Sequence, residues 1–99
     1  MDGLASMVEA MRPNAEAAEP LKKTLKFSFE EGQLYIDGTG DKNVLSMEDK
    51  EADCQINMGF KDFVALTKGE LNPMTALMTG KIKIKGDIGV AMKLKDIFG

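Results

Sequence analysis

A chain of 99 residues with 43% hydrophobic and 29% charged side chains has room for one two-layer core, which excludes wholesale disorder and fits a single domain over residues 1–99. A net charge of −3 argues against nucleic acid as the partner, and no apolar run approaches the ~20 residues of a membrane span. With no histidine and one cysteine, imidazole triads, thiolate metal clusters and internal disulfides are all excluded, and a reducing compartment is expected.

The charge is uneven along the chain. Residues 1–57 hold twelve acids against six bases, whereas residues 58–99 hold four acids against seven bases, so the second part is basic. Eight methionines against six aromatic residues is a high ratio. It suits a core that accepts varied shapes, and equally a plain methionine-tolerant core.

Leu4, Met7, Val8 and Met11 recur at helical spacing after an Asp2 cap, and Pro13 is expected to stop that helix. Residues 15–20 are alanine-rich and acidic, either a further helical turn or a linker. Leu25, Phe27 and Phe29 alternate with polar residues, and Leu34 and Ile36 flank Tyr35 after the Glu31-Gly32 turn, so the pair reads as a β-hairpin. A polar loop over 39–43 leads to a short strand over 44–47 and a charged turn over 48–51. Cys54, Ile56 and Met58 alternate with Asp53, Gln55 and Asn57 in a fourth strand. From Gly59 the period changes to helical at Phe60, Phe63, Val64 and Leu66, and Lys68-Gly69 supplies a stop.

The stretch GELNPMTALMTGKIKIKG, residues 69–86, is dense in signals. Asn72 can cap a helix, Pro73 fits its first position, and Met74, Leu77 and Met78 form one apolar face at i, i+3, i+4. Gly80 then closes the helix, and Lys81 to Lys85 alternates with Ile82 and Ile84 inward and three lysines outward. A last helix is expected over 87–98, apolar over more than half its circumference. Strands in a run followed by helices indicate an α+β fold with a mainly antiparallel sheet covered by helices. The fifth strand, reached by a long crossover, can join the sheet parallel to one neighbour.

Polar candidates are weak. Cys54 sits on the apolar face of a strand with no imidazole to activate it, and reads as a buried structural cysteine. Glu48, Asp49, Glu51 and Asp53 lack the spacing of a Ca²⁺ loop and read as a solvated turn. Gly38-Thr39-Gly40-Asp41 follows a strand but opens no helix, so it is a poor phosphate cradle. Tyr35 and Ser28 could donate protons, but nothing near them in the sequence completes an active site.

The order of blocks ADCQINM, a Phe-containing helix, GELNPMTALMTGKIKIKGD and GVAMKLKDI resembles the type-2 sterol carrier protein family of lipid-transfer domains. The likeness is strongest over 52–97, weaker over 22–51, and over the first twenty residues extends only to the presence of a helix. It implies a five-stranded sheet under helices that enclose an apolar tunnel. It also implies a non-catalytic carrier, without cofactor or metal, for fatty acids, fatty-acyl-CoA, phospholipids or sterols. On the matching positions, Phe63, Leu66, Met74, Leu77, Met78, Ile82, Ile84, Met92, Ile97 and Phe98 are the implied tunnel walls. Many relatives carry a tryptophan in the second strand, where this chain has Leu34-Tyr35. Peroxisomal relatives end in a Ser-Lys-Leu address, whereas this chain ends Ile97-Phe98-Gly99, so an intracellular, cytoplasmic place is expected and a peroxisomal one stays open. The expected partners are a lipid and, transiently, an anionic membrane surface met by the lysines, with the protein a monomer. The alternative is a non-catalytic structural or regulatory domain that kept the fold and binds protein partners.

Overall fold

The computed structural model describes residues 3–91 and residue 93. Its elements run α1 (Gly3–Ala17), β1 (Thr24–Ser28), β2 (Gln33–Asp37), β3 (Val44–Ser46), β4 (Cys54–Asn57), α2 (Phe60–Thr67), α3 (Pro73–Met78), β5 (Lys83–Gly86) and α4 (Ile88–Ala91). This is the order expected from the sequence. The anticipated Asp2 cap and the end of the last helix lie outside the described residues.

Pro13 does not end α1, which continues through it to Ala17. A proline inside a helix removes one backbone bond and costs ~3 kcal/mol. Contacts beyond it outweigh that loss here. Leu4, Val8, Met11 and Ala15 are all buried on one side of the helix. The Asn43 side chain donates from Nδ2 to the carbonyls of Ala15 and Glu19, both at 3.0 Å.

The five strands form one sheet in the order β3-β2-β1-β4-β5. β1–β2, β2–β3 and β4–β5 are antiparallel, and β1–β4 is the parallel pair. The parallel neighbour is therefore not β5. Lys83 lies opposite Asn57, so α2 and α3 bring the chain back to the end of the sheet that β4 had left. The one crossover between consecutive strands that run in the same direction falls instead between β3 and β4. Residues 47–53 reach at most about 23 Å, and the three inter-strand spacings they must cross come to about 14 Å. The link must therefore run nearly straight across the sheet, with no room for a helix.

The link crosses the polar face and is fastened there. Gln33 Nε2 donates to the Met47 carbonyl at 2.7 Å, Lys26 Nζ meets Asp49 Oδ1 at 3.0 Å, and the Tyr35 hydroxyl donates to the Glu51 carbonyl at 3.4 Å. Lys50 Nζ lies 5.8 Å above the Tyr35 ring. The acids singled out in the sequence thus serve the crossover: Glu48 pairs with Lys50, Asp49 with Lys26, and Asp53 Oδ2 accepts from the Thr24 N–H and hydroxyl.

The opposite face carries the core. Leu45, Ile36, Leu25 and Cys54 lie in register across four strands, as do Leu34, Phe27, Ile56 and Ile84. Against this face pack α1, α2 and α4 together with Ala76 of α3. At Gly86 a Cβ would meet the Asp53 carbonyl oxygen at 2.2 Å, and φ is +94°, so only glycine suits the close pairing with Cys54.

Candidate functional site

Two helices joined by a short turn add Phe63, Leu66 and Ala76 to the core, with Phe63 of α2 packed on Phe27 of β1, and each is delimited by its own backbone chemistry. In α2 the chain stops at Gly69 (φ +76°), whose N–H donates to Leu66 O, while Glu70 N–H donates to Ala65 O. Asn72 caps α3, its Oδ1 accepting from Met74 N–H at 2.9 Å and Thr75 N–H at 3.3 Å. The end of α3 repeats the stop. Gly80 (φ +81°) donates to Leu77 O, and Lys81 N–H donates to Ala76 O at 2.9 Å. Both stops satisfy carbonyls that a helix end leaves open.

Under these helices lies a wholly apolar layer. Phe63 is the centre of a ring cluster, with centroids 4.9 Å from Phe27, 5.0 Å from Phe29 and 6.4 Å from Phe60; Phe29 and Phe60 meet edge-on at 5.6 Å. Leu66, Ile82 and Val90 are buried beside it, and Ile84 is partly buried on β5. Of the wall residues inferred from the resemblance, Phe63, Leu66, Ile82 and Ile84 thus come together on the inner side. Met92, Ile97 and Phe98 lie outside the described residues.

The three α3 positions are placed differently. Met74 is 56% exposed, Leu77 38% and Met78 85%, while Ala76 is fully buried. With 3.6 residues per turn, Met74 and Met78 sit about 160° around the helix from Ala76. The small side chain turns toward the sheet, and the thioethers turn away from it. The i, i+3, i+4 spacing correctly marks one apolar face, but periodicity does not say which way a face points.

Polar chemistry in this region is sparse. Cys54 is buried, and burial first, then the negative charge of Asp87, pushes its thiol pKa up, so it stays protonated and unreactive at neutral pH. Among the described residues no group of three or more His, Cys, Asp or Glu side chains is arranged to hold a metal ion. Every buried side-chain nitrogen and oxygen among them has a hydrogen-bond partner. Lys23 and Asp87 form an ion pair at the outer end of β1. This arrangement can offer apolar burial.

Phe27, Phe29, Phe60, Ala76 and Val90 were not among the wall residues inferred from the sequence. The first three carried a signal, since Phe27 and Phe29 share the inner parity of β1 and Phe60 precedes Phe63 at i, i+3. Ala76 carried none, because a small residue adds little to any hydrophobic pattern.

A family profile described as "SCP-2 sterol transfer family" matches residues 6–99. The human protein named Sterol carrier protein 2 is 48% identical over 58 residues, which are 59% of this chain and 11% of that protein. A Xenopus laevis protein named Hydroxysteroid dehydrogenase-like protein 2 is 34% identical over 91 residues, covering 87% of this chain and 22% of that one. The chain therefore spans between a tenth and a quarter of the length of these relatives. Among solved structures, the apo form of Sterol Carrier Protein 2 from Yarrowia lipolytica superposes with a TM-score of 0.78, covering 99% of this chain and 92% of the other at 22% identity.

Proposed function

Because the chain belongs to the SCP-2 sterol transfer family, we propose that it is a lipid carrier that binds a fatty acid, fatty-acyl-CoA, phospholipid or sterol in an apolar tunnel between the sheet and the α2–α3 unit, without converting it chemically. The observation that carries this reading is the apolar layer under α2, where Phe63, Leu66, Ile82 and Ile84 meet β1 and β4 with no polar side chain between them. Met92, Ile97 and Phe98 complete the proposed wall. A hydrocarbon chain leaving water gains about 0.8 kcal/mol per CH₂, so burying ten or more methylenes supports micromolar binding after ordering costs. Apolar walls discriminate shape and length weakly, so broad specificity follows. The unpaired, buried Cys54 is consistent with work inside the cell. The carrier acts as a monomer and meets anionic membranes transiently.

The test is titration of a fluorescent long-chain fatty acid into the protein in the absence of membranes. Saturable binding near micromolar, about −8 kcal/mol, displaced by unlabelled fatty acid or acyl-CoA, is expected. Absence of saturable binding, with no lipid mass retained in native mass spectrometry, overturns the reading.

A further inference from the structure

We propose that the outward face of α3, Met74, Leu77 and Met78, is the surface by which the protein docks into an anionic bilayer, with Lys81, which follows directly on α3, against the headgroups. The proposal rests on the carrier reading, which requires a meeting with a membrane, and it names the face that makes it.

Three observations converge on this face. First, its side chains are turned from the core: Met78 stands almost fully in solvent and Met74 more than half so. Among the described residues the apolar sides of α1 and α2 are turned inward, on Leu4, Val8, Met11 and Ala15 and on Phe63 and Leu66, all buried. Second, the unpaired positive charge gathers in this part of the chain. Among the described residues the ion pairs use Arg12, Lys23, Lys26 and Lys50; of the bases that form none, Lys61, Lys68, Lys81, Lys83, Lys85 and Lys93 lie in this part and only Lys22 and Lys42 before it. Lys81 follows directly on the stop of α3, hydrogen-bonded through its backbone to Ala76.

Third, the composition of the face selects among occupants. Protein-binding surfaces concentrate aromatic residues, Arg and Met, draw most of their binding energy from Trp, Tyr and Arg, and are depleted in lysine. Here the exposed residues are Met, Leu and Lys, with neither aromatic anchors nor arginine on α3 or β5. Unbranched thioethers entering the acyl boundary with lysines at the phosphate level match a bilayer interface. Lys83 and Lys85 occupy the polar face of the sheet, opposite to Ile84. They act at longer range than Lys81, as a steering charge.

The experiment exploits a sequence with no tryptophan. Met78→Trp places a single indole on the face. Vesicles of phosphatidylcholine with phosphatidylserine are expected to shift its emission to the blue, and lipids brominated on their acyl chains to quench it. Pure phosphatidylcholine should give a weaker response, and raised salt should weaken the anionic one. Met74→Ser added to this background should reduce vesicle affinity roughly tenfold, and Lys81→Glu roughly fivefold or more. Emission unchanged by anionic vesicles overturns the proposal. So does emission that shifts with protein concentration alone, which would make the face a contact between copies. Fatty-acid binding in vesicle-free solution is the separate readout: its absence overturns the carrier reading while an indole that enters vesicles leaves the docking surface standing.

Discussion

Asn43 holds together three segments that share no secondary structure. Its Oδ1 accepts from Leu21 N–H at 2.8 Å while Nδ2 donates to the carbonyls of Ala15 and Glu19, and its side chain is fully buried. Gly38 lies against the same group, since a Cβ there would come within 2.7 Å of Asn43 Oδ1. A single amide thus ends α1, turns the linker and seats the start of β1. Asn43→Ala leaves a buried N–H and two carbonyls without this partner, and unsatisfied buried groups cost ~1–3 kcal/mol each before relaxation. A loss of roughly 2–4 kcal/mol is expected, read as a lower urea midpoint with unchanged slope. A loss under about 0.5 kcal/mol would mean that the three backbone groups find other partners.

At the scale of elements, α2 and α3 are adjoining helices with opposite roles. Each ends at a left-handed glycine, yet α2 sends Phe63 and Leu66 into the core whereas α3 sends only Ala76. Phe63→Ala should therefore cost about 3–5 kcal/mol, because a ring packed against three others leaves a cavity. Met78→Ala should stay within about 0.5 kcal/mol of the parent, as a solvated side chain loses little contact. Urea denaturation of the two variants side by side checks the contrast. Equal destabilisation by both would show that α3 packs with its thioethers inward.

For the whole molecule, the ionisable groups set a broad stability plateau. Asp37 is held below the ordinary carboxylate pKa by hydrogen bonds from the Thr39 hydroxyl and N–H, and Asp87 by its bond from Lys23 and then the Gly89 N–H. A depressed carboxylate contributes above the unfolded value, near 3.9, and loses that contribution as pH falls through its folded value, so stability should drop below about pH 4. Cys54 is raised by burial, Lys23 by its hydrogen bond to Asp87 and Lys50 by its bond to Glu48. Their contributions are complete below the unfolded values and are lost as pH rises, first from the thiol near 8.5 and then from the lysines above about 10. With no histidine in the chain, no side chain ordinarily titrates between those limbs. Thermal midpoints measured from pH 2 to 11 should be flat from about 5 to 8, and Asp87→Asn should soften the acid limb. A transition centred near pH 6.5 would contradict this assignment.

Local chemistry was enough to determine the order of the elements and most of their ends. Asn72, Pro73, Gly69 and Gly80 act within one helical turn, and the alternation of Leu25-Phe27-Phe29 and of Ile82-Ile84 reports a half-buried strand wherever it lies. The same patterns placed Phe63, Leu66, Ile82 and Ile84 on the inner side. Three matters were decided only by tertiary structure. α1 runs past Pro13 because Asn43, thirty residues later in the chain, takes up the carbonyls beyond it. The parallel pair is β1–β4 because residues 47–53 are bound across the polar face by side chains of β1 and β2. Met74 and Met78 face outward because Ala76 is the residue that lets the α3 backbone lie close to the layer beneath. A periodic pattern encodes that a helix has an apolar face; what the face meets depends on partners distant in the chain.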